Sequence, residues 1–251
     1  MTRILLAGES WISTATHVKG FDEFSSSTFH TGADAFIAAA GAEGLEIEHM
    51  YAHDVPGSFP RTVEALSEYD VVILSDIGAN SFVLSPEVFL EGRRADNALI
   101  ALAEWTRRGG GLMMAGGYLS FTGFQARANF ARTALAEVLP VTMLESDDRV
   151  EAPQGAPVAV TEPGHPAAAG WGELVDSAPT LLGYNLVRPH DEATVVATVG
   201  GDVLVATRNV GEGRSLVWTS DIGPHWCPED FLAWDGFAPL VGSMLRWLAA
   251  R

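Results

Sequence analysis

The richest run of chemistry in the sequence is Ser220, Asp221, Ile222, Gly223, Pro224, His225, Trp226, Cys227, Pro228 and Glu229. A histidine with a carboxylate four residues before it and another four after it suits a general acid or base. Imidazole titrates near neutral pH, and a neighbouring acid fixes which ring nitrogen carries the proton. The same residues also fit a structural histidine clamped by Pro224 and Trp226. Cys227 is the only cysteine in the chain. It could act as a thiolate nucleophile, although a lone cysteine among aromatic residues is more often buried and inert.

Three other segments carry reactive side chains. Glu9, Ser10, Trp11, His17, Lys19 and Asp22 follow a short apolar run. They read as a polar loop, either contacting a ligand or simply solvated with Ser and Asp caps. Asp76 and Asn80 follow a second apolar run, where Asp76 either orients a ligand or base or closes an Asx-turn. Gly116, Gly117, Tyr118, Leu119 and Ser120 follow a third, and paired glycines permit the tight strand-to-helix passage on which a nucleophile elbow is built. Ser120 fits that elbow poorly, because it lacks the glycines two residues to either side. Glu9, His17, Asp22, Asp76 and His225 form a conceivable metal cluster with no recognised local spacing. No motif requires a cofactor, and a divalent metal stays open. The acidic run at residues 145–151 reads as a solvated turn, with ligand or cation contact the lesser reading.

These segments need a scaffold that aims them at one another. Residues 3–7, 45–51, 70–74 and 112–115 read as strands, and residues 32–42, 62–67, 97–108 and 126–138 as helices. Such alternation predicts a mainly parallel sheet covered by helices, with functional loops at the strands' carboxyl ends. Residues 194–198, 203–207 and 215–219 are short strands separated by glycines, predicting extra β-hairpins in the carboxyl-terminal half. A helix over residues 237–250 closes the chain.

Composition narrows the partners. The 251 residues suit one α/β domain over 1–251, with no linker or low-complexity run to divide them. A net charge of -17 repels a phosphate backbone, so nucleic acid is not an expected partner. One cysteine permits neither an internal disulfide nor a Cys-x-x-Cys site. There is no signal-peptide pattern and no membrane span. A cytoplasmic protein that binds a small molecule is expected, and a homo-oligomer stays open.

Residues 8–11, His17, 19–22, 75–80, 116–121, 147–151, 183–185 and 220–226 together resemble the glutamine-amidotransferase-like family of bacterial cytoplasmic proteins. That family is similar in fold to class I glutamine amidotransferases and ThuA-like proteins. The resemblance implies an α/β three-layer sandwich of flavodoxin-like type. It also implies a triad of an elbow cysteine and a late His-x-Glu pair. Here the elbow falls at Gly117 or Tyr118, neither of which can be a thiolate. His225 matches the triad histidine, Cys227 stands where the glutamate belongs, and Glu229 lies two residues further on. Glutaminase chemistry is therefore not expected. Two readings remain. One is a hydrolase-like enzyme with His225 as acid or base, Asp221 or Glu229 orienting it, and Tyr118 or Ser120 touching the substrate. Glu9, Ser10, Trp11, His17, Lys19, Asp22, Asp76, Asn80, Gly117 and Trp226 would line its ligand site. The other is a non-catalytic ligand-binding or assembly protein that retains the fold.

Overall fold

The structure is a computed structural model and describes residues 2–250. Fourteen strands are assigned among those residues: β1 (Arg3–Gly8), β2 (Ser10–Lys19), β3 (Asp22–Thr31), β4 (Glu46–Met50), β5 (Val71–Ser75), β6 (Gly111–Ala115), β7 (Val141–Met143), β8 (Arg149–Ala156), β9 (Val158–Val160), β10 (Leu181–Asn185), β11 (Val187–Pro189), β12 (Thr194–Val199), β13 (Asp202–Val210) and β14 (Gly213–Trp218). Eight of them form the central sheet, in the order β4-β1-β5-β6-β14-β13-β12-β9. The strands from β4 to β14 in that order run parallel, and β13, β12 and β9 extend the sheet antiparallel.

The apolar strands explain the layering. In β1, Ile4 and Leu6 point into one core and Leu5 and Ala7 into the other, as the period-two alternation of a strand requires. The first core is sealed by the helices Asp34–Ala42 and Phe237–Ala249 through Phe36, Leu240, Met244 and Leu245. The second is sealed by the helix Ala98–Arg107 through Leu99 and Leu102. A parallel sheet covered on both faces needs near-continuous apolar strands, and β5 and β6 are buried at every residue.

Three expectations fail. No continuous helix spans residues 126–138; short 3-10 turns occupy Phe124–Ala126, Phe130–Arg132 and Ala134–Glu137. Asn129 adopts left-handed backbone (φ 60°) and Thr133 is extended, so the helical path breaks twice. The polar loop expected after β1 is instead a regular hairpin, β2–β3, registered from Ser10 opposite Thr31 to Lys19 opposite Asp22. Its two-residue turn is Gly20 and Phe21, with Gly20 at φ 66°, the conformation glycine supplies in tight hairpins. Finally, the acidic run at 145–151 is a solvated turn only over residues 145–147: Asp148 is 1% exposed and the run leads into β8, which pairs with β10.

Candidate functional site

The segments after β1, β5, β6 and β14 converge at the carboxyl edge of the sheet. Glu9, Trp11, Asp76, Tyr118, Asp221, Pro224 and His225 line a cavity of about 370 Å³ there. Larger hollows of about 650 and 660 Å³ lie elsewhere. One runs along β4 and the start of β1 and the other lies against Trp105 and Arg108, both away from the edge where the ionisable groups gather.

Backbone strain builds the acidic floor. Gly8 has φ 105°, and a Cβ on it would fall 2.0 Å from the Ser75 carbonyl oxygen, so only glycine lets β1 turn here. Glu9 follows at φ 47° and donates its N–H to that same carbonyl at 2.8 Å. Asp76 sits at φ 41°, with its N–H donated to Ser120 Oγ (3.1 Å) and its Oδ1 accepting from Leu119 N (2.6 Å). Two adjacent non-glycine residues in the left-handed region mark a place where the surrounding structure imposes strain.

The opposite wall is a carboxylate–imidazole pair. Asp221 is 5% exposed, accepts the Trp226 N–H on Oδ2 at 3.1 Å, and meets His225 Nδ1 with the same oxygen at 3.3 Å. The His225 ring is half-exposed and packs edge-on to Tyr118 at 4.9 Å between centroids. Tyr118 is braced in turn: its hydroxyl donates to Glu151 Oε1 at 3.0 Å, and the Arg149 guanidinium lies 4.8 Å from its ring centre. Glu151 Oε2 also accepts from Trp226 Nε1 at 3.0 Å.

Burial and crowding set the protonation states. Burial, reinforced by the negative charges of Asp221 and Asp76, pushes the Glu9 carboxyl up to about 8, although Ser75 Oγ donates to its Oε2 at 2.5 Å. Asp76 is pushed up to about 6 by burial and then by Asp221, against the pull of the Leu119 N–H and of His225. The hydrogen bond to Asp221 raises His225 above its ordinary value, against desolvation. Burial holds the Cys227 thiol well above its usual range.

Six of the candidates therefore line one cavity: Glu9, Trp11, Asp76, Tyr118, Asp221 and His225. Gly117, Ser120 and Trp226 are buried in its supporting wall, where Ser120 Oγ is committed to the Asp76 backbone. Ser10 is also buried and accepts the Ala52 N–H at 2.8 Å. Asn80 and Glu229 are exposed at the starts of the helical turns Asn80–Val83 and Glu229–Leu232, so Asp221 rather than Glu229 partners the histidine. His17, Lys19 and Asp22 sit far out on the hairpin, with the His17 ring at 2.9 Å from Ser26 Oγ and stacked on Phe24. This separates His17 and Asp22 from the other members of the expected metal cluster. Among the described residues, no group of three His, Cys, Asp or Glu side chains is placed to hold a metal ion.

Sequence reasoning missed the scaffold behind the elbow. Gly117 has φ 140°, and a Cβ there would fall 2.7 Å from Asp76 Oδ1. Its N–H donates to Asn185 Oδ1 at 3.0 Å, and Asn185 Nδ2 donates to the Gly117 carbonyl (3.2 Å) and to Asp148 Oδ1 (2.8 Å). Asp148 also accepts from the backbone of Thr122 and Gly123, each at 2.9 Å. The available signal was weak: an Asn at a strand end and one Asp among several acids.

A mainly parallel sheet covered by helices, with this cleft at its carboxyl edge, is an α/β fold of the glutamine-amidotransferase-like, flavodoxin-like kind. The family model described as "Putative glutamine amidotransferase" matches residues 3–250, and the chain belongs to that family. Among solved structures, a cytoplasmic protein of Salmonella typhimurium is 40% identical with a TM-score of 0.93, the match covering 99% of each chain. A second, from Salmonella typhimurium LT2, is also 40% identical with a TM-score of 0.92, over 98% of this chain and 99% of that one. The cytoplasmic location expected from the sequence is the one both relatives carry. A thua-like protein from Bacteroides uniformis shares the fold at 12% identity, with a TM-score of 0.56 over 98% of this chain and 91% of its own. No curated protein matches the sequence. Among the described residues no helix is long and apolar enough to cross a membrane.

Proposed function

We propose that the cleft carries out general acid–base hydrolysis of a small polar metabolite, without a cysteine nucleophile. The observation that carries this is the Asp221–His225 pair at 3.3 Å on the wall of a cavity that also holds Glu9, whose carboxyl stays protonated to about 8. Two titratable groups whose surroundings hold them in opposite roles are the usual mark of an acid and a base. Asp221 engages Nδ1, which leaves Nε2 of His225 to take a proton from water. The water oxygen bonds to the electrophilic carbon, the bond from that carbon to the leaving group breaks, and Glu9 protonates the leaving group. The proton held on His225 then returns to Glu9 through solvent, restoring both residues.

The covalent route of the class I amidotransferases finds no support in this site. A side chain at position 117 would collide with Asp76, Tyr118 has a phenol that burial raises further, and the lone thiol of Cys227 is buried and protonated. The test is a hydrolysis screen of small polar amides, esters and lactams with the wild type, His225→Gln and Asp221→Asn. The expected result is turnover of at least one substrate by the wild type, with both variants folded and at least a hundredfold slower. Turnover that survives both substitutions would overturn the assignment.

A further inference from the structure

The β2–β3 hairpin leaves the body beside the cleft and buries almost nothing. Every residue from Trp11 to Phe29 is exposed, among them Trp11, Ile12, Val18, Phe21, Phe24 and Phe29. At about 3.3 Å per residue the ribbon projects about 30 Å. A two-stranded ribbon alone in water is marginally stable, and exposed aromatic side chains in this number mark a contact surface. Phe21 at the tip is 110% exposed, so nothing within the chain covers it.

The order of side chains along the ribbon indicates the occupant. On the ribbon face that carries Trp11, Ser13, Ala15 and His17, the root holds Trp11 opposite His30. The middle holds only small residues, Ser13, Thr14, Ala15 and Thr16 opposite Thr28, Ser27, Ser26 and Ser25. The outer part of that face returns to bulk with His17 opposite Phe24, and Phe21 closes the tip. Bulky, small, bulky is a pattern that fits itself when reversed: laid antiparallel, the tip of one arm meets the root of another and the small centres cross where the backbones approach. An interface between identical patches related by a twofold axis requires that self-complementarity.

Charge selects the same partner. Lys19, Asp22 and Glu23 leave the arm with one net negative charge out of the chain's seventeen, so two copies meet there with little repulsion. Stacking two ribbons of this length hides on the order of 1,000 Å² of accessible surface, the size at which biological interfaces begin.

We propose that two copies of this chain associate through their β2–β3 arms, stacked antiparallel about a twofold axis. Because Trp11 belongs to both the arm root and the cavity wall, the arrangement brings the partner's arm tip beside the cleft. The test is the mass in solution of the full chain, by sedimentation velocity at tens of micromolar. A two-chain particle is expected for the wild type, and a single chain with unchanged circular dichroism for the triple variant His17→Asp, Phe21→Asp, Phe24→Asp. Cysteine cross-linking adds a readout that does not depend on that variant folding. Under oxidation Ala15→Cys, at the crossing point, gives a covalent dimer and Phe21→Cys does not. A monomeric wild type, a triple variant that stays dimeric, or cross-linking through Phe21→Cys alone would overturn the proposal. So would a monomer that binds phosphatidylcholine vesicles through the arm, since the occupant would then be a lipid surface.

Discussion

Glu9 and Trp11 are two residues apart, yet they begin two regions of opposite character. Glu9 is 3% exposed, strained, and pushed up to about 8 by burial among other acids. From Trp11 onward the chain stands in solvent for nineteen residues, paired in regular register from Trp11 opposite His30 to Lys19 opposite Asp22. Density of ionisable residues was the same sequence signal in both. What separates them is whether the backbone folds inward at Gly8 and Gly32, between which the arm is hung: a Cβ on Gly32 would lie 2.4 Å from Glu9 Oε1, so the carboxyl is packed against the point where the arm returns. Chemistry follows enclosure, and the arm has none to offer.

The largest effect that would sharpen this contrast falls on the dyad. Asp221→Asn should lower turnover by about 10²–10⁴-fold, the usual range for loss of a positioned acid–base group, with melting temperature nearly unchanged in differential scanning calorimetry. Next comes the scaffold. Asp148→Ala strands the Thr122 and Gly123 N–H groups and the Asn185 amide, and should cost about 3 kcal/mol in urea unfolding at neutral pH.

Glu9→Gln should act in opposite directions on stability and rate. The native state keeps the Glu9 proton to about 8, whereas the unfolded chain releases it near 4.5. Ionisation is thus costlier in the folded state, and stability falls as pH rises from 4.5 through 8. The amide removes that loss. The variant should therefore melt a few degrees higher than the wild type at pH 8, the gap closing toward pH 5, while turnover drops by about 10²-fold or more. A smaller effect is expected for Cys227→Ser, which should cost about 1 kcal/mol as a hydroxyl replaces a buried thiol and leave turnover intact. The least effect belongs to the arm: Thr14→Ala should change kcat/KM by less than about twofold, since its hydroxyl bonds to Ser27 of its own hairpin. A large loss there would break the contrast between the two regions.

The sheet was legible because its chemistry is local. Unbroken apolar runs such as residues 71–74 and 112–115 can only be buried strands in an alternating chain, and the family follows from blocks spread across the sequence. The cleft was legible in part, because Glu9, Asp76, Tyr118 and Asp221 follow such strands directly and share one edge. The hairpin was not, since Ser and Thr favour strands and loops alike, and Gly20-Phe21 is a turn signal only once both flanks are known to pair. Nor could the sequence show that Asp221 rather than Glu229 reaches His225. Both stand four residues away, and only the turn of residues 221–226 decides between them.

If Asp221 holds His225 as the working base of the cleft, the imidazole must carry that hold in its titration, which NMR of the His225 ring from pH 5 to 9 reads in the wild type and in Asp221→Asn. An apparent pKa above 6.5 is expected in the wild type and a fall in the variant, because the hydrogen bond to Asp221 is the leading cause of the shift. A ring that titrates at or below 6.5 and is unmoved by Asp221→Asn would contradict it.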